Sequence, residues 1–397
     1  MRLLWHVQRL SQQGCGMSRR VRSLASSLAR RHELRLLAPA DAVEFDAARL
    51  DGVPIDRVPV PSDRPLHWSL QAGARRRRAA RIAKDAVGPV DALLTCQPEF
   101  AEAAARNHPG RPVALVACCS QLLFEHLEQE RERAVPWPGR AAFVLNRRLL
   151  RRNERIGFRA AHAIAFDSHM TRRIASRRHG LPAERCHVMT PTVDVERFRP
   201  AEPAQRDALR REFGLAPEDF AACWCGRMAP GKNVELLLEA AARLPRLTVL
   251  LAGEGEEQPR LERMTAELNL TDRVRFLGMQ PETVPALQAA DVFVFPSRAE
   301  SFGIVVIEAM ACGLPCIALT DPSGQFLCGA TEAIAHGETG WVLANDSPSL
   351  LAESLEQLRS RPAGRIAMGR AGRARAVSEY ALGRDAAQLE AILESIT

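Results

Sequence analysis

The chain has 397 residues, of which 46% are hydrophobic and 25% charged, with ten cysteines and a net charge of +7. These are globular proportions, and the length suits two domains of roughly 150–200 residues rather than one core or a disordered chain. No uncharged apolar run reaches the roughly 18 residues that a spanning helix needs, and MRLLWHVQRL lacks the apolar region and cleavage site of a signal peptide, so free thiols in a cytoplasmic protein are expected.

RLLWHV (2–7) predicts a buried strand, GMSRRVRSLASSLARR (16–31) a helix with Met17, Val21, Leu24 and Leu28 near helical spacing, and HELRLLAP (32–39) a second strand. A β-α-β unit of this length points to a parallel sheet with right-handed crossovers. Further strands are expected at 91–96, 112–119, 163–168 and 186–191, with Arg-rich helices at 74–87 and 143–160. The polar stretch 192–205, with two prolines, predicts a linker.

A second alternating series follows. Strands are expected at 220–226, 247–253, 273–278, 291–297 and 315–320, and helices at 233–244, 259–270, 281–290 and 302–313. A last amphipathic helix is expected at 378–396. The fold class is therefore α/β, with two doubly wound parallel-sheet domains and a site in the cleft at the strands' carboxyl ends. The boundaries fall at 1–195, 196–377 and 378–397.

Charge divides along the same line. Residues 1–200 hold 35 Lys+Arg against 20 Asp+Glu, net +15, whereas residues 201–397 hold 19 against 27, net −8. Two halves of opposite sign suit different partners. A basic surface fits phosphates, nucleic acid or anionic lipid, and equally a solvated Arg-rich face, the more usual meaning of ARRRRAARIAK (74–84). Interleaved aromatics for single-stranded nucleic acid are lacking, since aromatic residues are 5% of the chain.

Two segments carry chemistry. GRMAPGKN (226–233) follows a strand and opens a helix, so Arg227 and Lys232 stand where a helix start already favours an anion. A diphosphate would be neutralised there, though a plain surface loop with two cations fits the same pattern. In ESFGIVVIEAMACG (300–313), Ser301, Phe302 and Gly303 form a turn whose free amides open a helix, and Gly303 offers no side chain to obstruct a ligand. Glu300 and Glu308 stand about 12 Å apart if helical, which suits two ends of one long ligand better than a glycosidase pair at roughly 5–10 Å. Carboxylates accept hydrogen bonds from vicinal hydroxyls.

GRMAPGKN, GEGEE (253–257), VRFLG (274–278), DVFVFPS (291–297), the Glu300/Glu308 pair and HGETGWV (336–342) occur in this order. Together they resemble the retaining nucleotide-sugar glycosyltransferases of family 4, strongly over about 220–345 and more weakly in SQQGCGMSRRV (11–21) and TPTVDVERFRP (190–200). The resemblance implies the GT-B fold of two Rossmann-like domains facing a cleft, and transfer of a hexose from a nucleoside diphosphate sugar with retention of configuration. UDP-sugars are the commoner donors of the family, with GDP-sugars the other option.

It also implies roles. Arg227 and Lys232 neutralise the donor diphosphate, Glu308 takes the ribose hydroxyls, and Glu300 meets the donor sugar. The amides of Phe302, Gly303, Ile304 and Val305 line sugar and phosphates, beside Ser301. Leu277 and Gly278 lie near the base. Gly14 and Gly16 let the first loop approach the diphosphate. No metal or other cofactor is implied, and no DxD follows an apolar run. The acceptor is expected to be a glycan or glycolipid of cell-envelope polysaccharide or lipopolysaccharide, read by the basic half, with Arg75–Arg78 and Arg147–Arg152 against an anionic inner-membrane surface.

The pattern departs in three places. No His ends PVALVACCSQ (112–121), leaving Cys119, Ser120 and His126 as acceptor-side candidates; Thr192 stands where Gly precedes Val-Asp; and 320–340 is longer than the usual loop. The cysteines, without paired CxxC spacing, read as structural thiols; Trp137 fits an acceptor-side loop or plain packing. A nucleotide-sugar epimerase on the same fold and a non-catalytic nucleotide-sugar-binding protein are the competing readings.

Overall fold

The computed structural model describes residues 1–8, 16–43, 48–60, 71–84, 88–118, 139–320 and 327–397. The chain divides into two compact units, Met1–Pro191 with Gly383–Thr397, and Thr192–Leu382. The sequence placed these breaks at 195/196 and 377/378.

The first unit carries β1 (Arg2–His6), β2 (Glu33–Pro39), β3 (Arg49–Leu50), β4 (Val53–Val58), β5 (Ala92–Thr95), β6 (Val113–Cys118), β7 (Ala163–Phe166) and β8 (Cys186–Val188). They form one sheet in the order β3-β4-β2-β1-β5-β6-β7-β8, parallel except for the β3–β4 pair. Successive side chains of a strand point to opposite faces. Leu3 and Trp5 accordingly join Leu24 and Leu28 of α1 (Gly16–Leu28) in one core, and Leu4 joins Phe100 and Phe158 in the other. That second core is covered by α2 (Gln71–Lys84), α3 (Pro98–Asn107) and α4 (Gly139–Ala160). At Gly157 a Cβ would fall 2.1 Å from the Pro98 carbonyl oxygen, so only glycine lets α4 and α3 approach this closely.

The helix α5 (His169–His179) was not foreseen. It has a weak apolar stripe but strong ends, with a Ser168–Thr171 capping box and left-handed Gly180 as C-cap. The helix α3 also escaped, because its buried residues are mostly alanines around Phe100.

The second unit opens with α6 (Pro203–Glu212), whose first three residues the sequence had assigned to the linker. Its one buried residue is Arg210, which pairs with Asp291 at 3.2 Å and donates to the carbonyls of Ala216, Asp219 and Ala289. A helix anchored by a buried cation carries no apolar period. Then come β9 (Phe220–Cys225), α7 (Val234–Ala242), β10 (Leu247–Ala252), α8 (Gln258–Glu267), β11 (Val274–Gly278), α9 (Val284–Ala289), β12 (Val292–Phe295), β13 (Ala299–Glu300), α10 (Ile304–Ala311), β14 (Cys316–Leu319), β15 (Leu327–Cys328), β16 (Gly340–Leu343), α11 (Pro348–Ser360) and α12 (Pro362–Tyr380). The main sheet is all parallel, in the order β11-β10-β9-β12-β14-β16, with β13 and β15 paired separately.

The expected final helix, 378–396, takes in the end of α12 and, after a break, the whole of a last helix. The helix α12 ends at Tyr380, whose carbonyl accepts the Val193 amide at 2.8 Å. Gly383, at φ +92°, turns the chain before α13 (Arg384–Glu394). Ala386, Leu389, Ile392 and Leu393 of α13 complete the first unit's core with Leu3 and Trp5.

Candidate functional site

The loops after β9, β10 and β11 are joined by main-chain hydrogen bonds. Gly226 N–H donates to Ala252 at 3.0 Å, Met228 to Glu254 at 2.8 Å, Glu257 to Met228 at 3.0 Å, and Gly253 to Gly278 at 2.8 Å. The glycines of GEGEE are required by this contact: a Cβ on Gly253 would lie 1.8 Å from the Gly226 oxygen, and one on Gly255 2.2 Å from the Met228 oxygen. The loop bearing Arg227 is thus held rigidly at the sheet's carboxyl edge.

Lys232 and Glu300 come together. Nζ of Lys232 donates to Oε2 of Glu300 at 2.5 Å, with both side chains about three-quarters buried, and lies 5.8 Å from the centre of the Phe295 ring. Arg227 goes elsewhere. It is 71% exposed and meets Glu256 at 3.4 Å. The two cations assigned to one anion therefore each face a carboxylate in this structure, Arg227 loosely and Lys232 tightly.

Immediately beyond Glu300 the chain turns into α10. Gly303 adopts φ +80°, and a Cβ there would press on the Phe295 ring at 3.0 Å and on Ala330 at 3.2 Å. The first amides of a helix have no intrahelical acceptor, and they add partial positive charge. Those of α10 begin at Ile304, whose side chain, like that of Val305, is half-buried. Phe302 contributes only backbone to this edge: its ring is 1% exposed and packs on Tyr380 at 5.8 Å. Ser301 is half-buried.

Glu308 is 3% exposed, one turn into α10, and is buried in the second unit. Its neighbours are thiols. The hydrogen bond with Cys223 and then burial hold the Cys225 thiol well above its ordinary range, and Glu308 adds to this; burial and then Glu308 do the same at Cys312. Cys223 and Cys225 face each other with sulfurs 3.5 Å apart, as free thiols.

Leu277 and Gly278 end β11. Gly278 has φ +67°, and Glu254 Oε1 accepts the following Met279 amide at 3.0 Å. Glu254 was not singled out in the sequence. Neither were Arg298 and Asp346, which pair at 2.6 Å beside the Lys232 turn. Nothing in their sequence spacing connects two residues 48 apart; the signal is tertiary.

In the first unit, His6 ends β1 and is 1% exposed. Its Nδ1 is 3.0 Å from Thr95 Oγ1, and its ring stacks on Phe100 at 4.0 Å. Burial, with Arg78 adding, lowers its pKa to about 3. Arg20 of α1 forms a buried ion pair with Asp167 and donates to the Met189 carbonyl at 2.8 Å. Part of the Arg75–Arg78 run is spent inside the unit: Arg76 pairs with Glu102 at 2.9 Å, and Arg78 with Asp41. Gly16 begins α1. Gly14, Cys119, Ser120, His126 and Trp137 lie outside the described residues, as do 321–326 of the long loop. Among the described residues, no group of three or more His, Cys, Asp or Glu side chains is arranged to hold a metal ion, and no helix is long and apolar enough to cross a membrane.

Comparison with known proteins fits this edge into a family. Residues 205–375 match the model of glycosyl transferases group 1, and residues 14–197 that of glycosyltransferase family 4. A D-inositol 3-phosphate glycosyltransferase of Frankia alni is 38% identical over 208 residues, 48% of this chain and 49% of that protein. One of the same name from Mycolicibacterium smegmatis is 36% identical over 190 residues, 46% of this chain and 42% of its own. The chain thus spans about half the length of the curated relatives it matches. The structure of Anabaena HepE in complex with UDP-glucose aligns over 100% of both chains with a TM-score of 0.75 and 21% identity, a likeness of fold. With two consecutive family models covering both units and the motifs of the second unit in order, the chain belongs to the family 4 glycosyltransferases, with the GT-B fold.

Proposed function

We propose that the protein transfers a hexose from a nucleoside diphosphate sugar, a UDP-sugar before a GDP-sugar, to an acceptor hydroxyl with retention of configuration. The observation that carries this reading is the convergence of Lys232, Glu300 and the start of α10 at one carboxyl edge of the second unit's sheet. A departing nucleoside diphosphate gains negative charge as its bond to the sugar breaks. A fixed ammonium and unpaired helix amides stabilise that charge without rearranging. Lys232 serves the diphosphate, assisted by the exposed Arg227. Glu300 accepts from the sugar hydroxyls, Glu308 from the ribose, and the Leu277–Gly278 turn borders the base. The bond from the anomeric carbon to phosphate breaks, the acceptor oxygen bonds on the same face, and its proton passes to the leaving phosphate. The protein cations supply the charge, so no metal is needed.

The acceptor is proposed to be anionic. The +15 of residues 1–200 supports this, as do relatives whose names carry a phosphorylated inositol. The second reading is a lipopolysaccharide-type or other glycolipid acceptor at the cytoplasmic membrane face, favoured by the exposed Arg148, Arg152, Arg155 and Arg159 along α4. The test is UDP release from UDP-glucose and UDP-N-acetylglucosamine with D-inositol 3-phosphate or with a glycolipid acceptor, followed by NMR of the product anomer. A product that keeps the donor's anomeric configuration is expected. An inverted product refutes retention, and an epimerised sugar without transfer refutes the whole reading.

A further inference from the structure

We propose that Arg298, held by Asp346, is a positioning residue that fixes the spacing of Lys232 and Glu300. The proposal rests on the donor-site reading above and deepens it.

Arg298 lies between β12 and β13, and three separate parts of the unit meet on it. Its amide donates to the Gly231 carbonyl at 2.9 Å, and its own carbonyl accepts the Leu327 amide at 2.8 Å. Its guanidinium reaches Asp346 Oδ2 from Nε at 3.2 Å and from Nη2 at 2.6 Å. Gly231 precedes Lys232, and Glu300 stands two residues beyond Arg298. The main-chain bond from Arg298 to Gly231 and the 2.5 Å ion pair from Lys232 to Glu300 therefore close one small ring through residues 231, 232, 300, 299 and 298. Neither closure can shift without pulling on the other.

The ring is fixed from two sides. The β13–β15 pairing sets Ala299 opposite Leu327 and Glu300 opposite Cys328, and it starts at the bond from Leu327 to Arg298. Asp346 follows β16 and precedes Ser347, whose Oγ caps α11 by accepting the Leu350 amide at 3.4 Å. Asp346 thus belongs to a strand-to-helix junction, a firm anchor. Gly231 itself has φ +87°, a conformation that leaves the turn little alternative geometry once its carbonyl is held.

Stability does not account for this arrangement. The Arg298 and Asp346 side chains are 30% and 31% exposed, and ion pairs with that much solvent add little to folding. What the pair does supply is direction. Two of the guanidinium nitrogens, Nε and Nη2, converge on one carboxylate oxygen, which fixes the side chain's approach and, through it, the backbone at residue 298. A lysine offers a single movable ammonium in place of that two-point contact.

The test uses the full chain with Asp346→Asn, which keeps shape and removes charge, and Arg298→Lys, each alone and combined with Lys232→Met. Amide hydrogen exchange is read without ligand, and UDP affinity by calorimetry. Asp346→Asn should speed exchange several-fold in 229–233 and 298–303 while leaving 220–225 and 247–252 unchanged. It should also weaken UDP about ten-fold, with Arg298→Lys intermediate, and cost less than about two-fold once Lys232 is methionine, because residues acting through one another are not additive. Unchanged or uniformly faster exchange overturns the proposal, as does an equal loss of UDP affinity in the Lys232→Met background. If the unaltered protein binds no UDP, the donor-site reading falls, and the exchange pattern by itself decides whether Arg298 positions the pair.

Discussion

Lys232 and Glu300 neutralise one another across 2.5 Å at the edge where a charged ligand is proposed to bind. An incoming diphosphate competes with the carboxylate for the ammonium, and the carboxylate also repels it. Removing the carboxylate charge then has opposite effects on binding and on chemistry. Glu300→Gln should leave UDP affinity unchanged or several-fold tighter while slowing sugar transfer by about a hundred-fold or more, the scale at which a group facing the reacting sugar contributes. Lys232→Met should weaken UDP about 10–100-fold, in keeping with a lost charge-assisted hydrogen bond. Calorimetry with UDP beside initial rates of transfer separates the two. Parallel loss of binding and rate in Glu300→Gln would remove the competition.

The backbone at Gly303 should tolerate no side chain. A Cβ there meets φ +80° and the Phe295 ring at 3.0 Å, so Gly303→Ala should cost about 1–2 kcal/mol for the left-handed conformation alone. In a unit of this size that corresponds to a fall in Tm of about 2–8 °C, together with weaker UDP binding, since the ring it displaces lies beneath Lys232. Gly253→Ala should be worse, because its Cβ would overlap the Gly226 oxygen at 1.8 Å and separate the loops bearing Arg227 and Glu254. Calorimetric melting of both variants checks the order.

Buried His6 should make the first unit acid-sensitive. Its folded pKa of about 3 lies below the ordinary 6.5, so between those values the unfolded chain binds a proton that the folded chain refuses. Stability from this group is complete above pH 6.5 and is lost as pH falls towards 3. His6→Gln removes that penalty together with the stacking on Phe100. Urea unfolding should find the variant less stable than the original at pH 7, with the gap narrowing at pH 4.5. A constant gap would show that His6 accepts its proton inside the fold.

The most continuous apolar runs could be read directly. The strands β9, β10, β12 and β14 are buried along their whole length, and their apolar runs, broken only by Thr248, showed it. Three of the elements that escaped draw their order from other sources: α6 from the buried polar bonds of Arg210, α5 from its caps, and α12 from burial of two glycines, an alanine and Tyr380; β4, β16 and α11 escaped although Val53 and Ile55, Leu343, and Leu351 and Leu355 respectively lie in the cores. Of the candidate site, the placement of Lys232, Glu300 and Gly303 in loops beyond strand ends was legible. That Lys232 binds Glu300 while Arg227 faces Glu256, and that Arg298 holds the Lys232 turn from a loop far along the chain, depend on how three strand-end loops meet in space. No local spacing records that.

The most direct measurement is UDP binding to the full chain in EDTA, by calorimetry, repeated on Lys232→Met and on Glu308→Gln. Saturable binding in EDTA, weakened at least ten-fold by either substitution, is the expected result. Absence of binding, binding abolished by EDTA, or binding indifferent to both substitutions would contradict a metal-free donor site at this edge of the second unit.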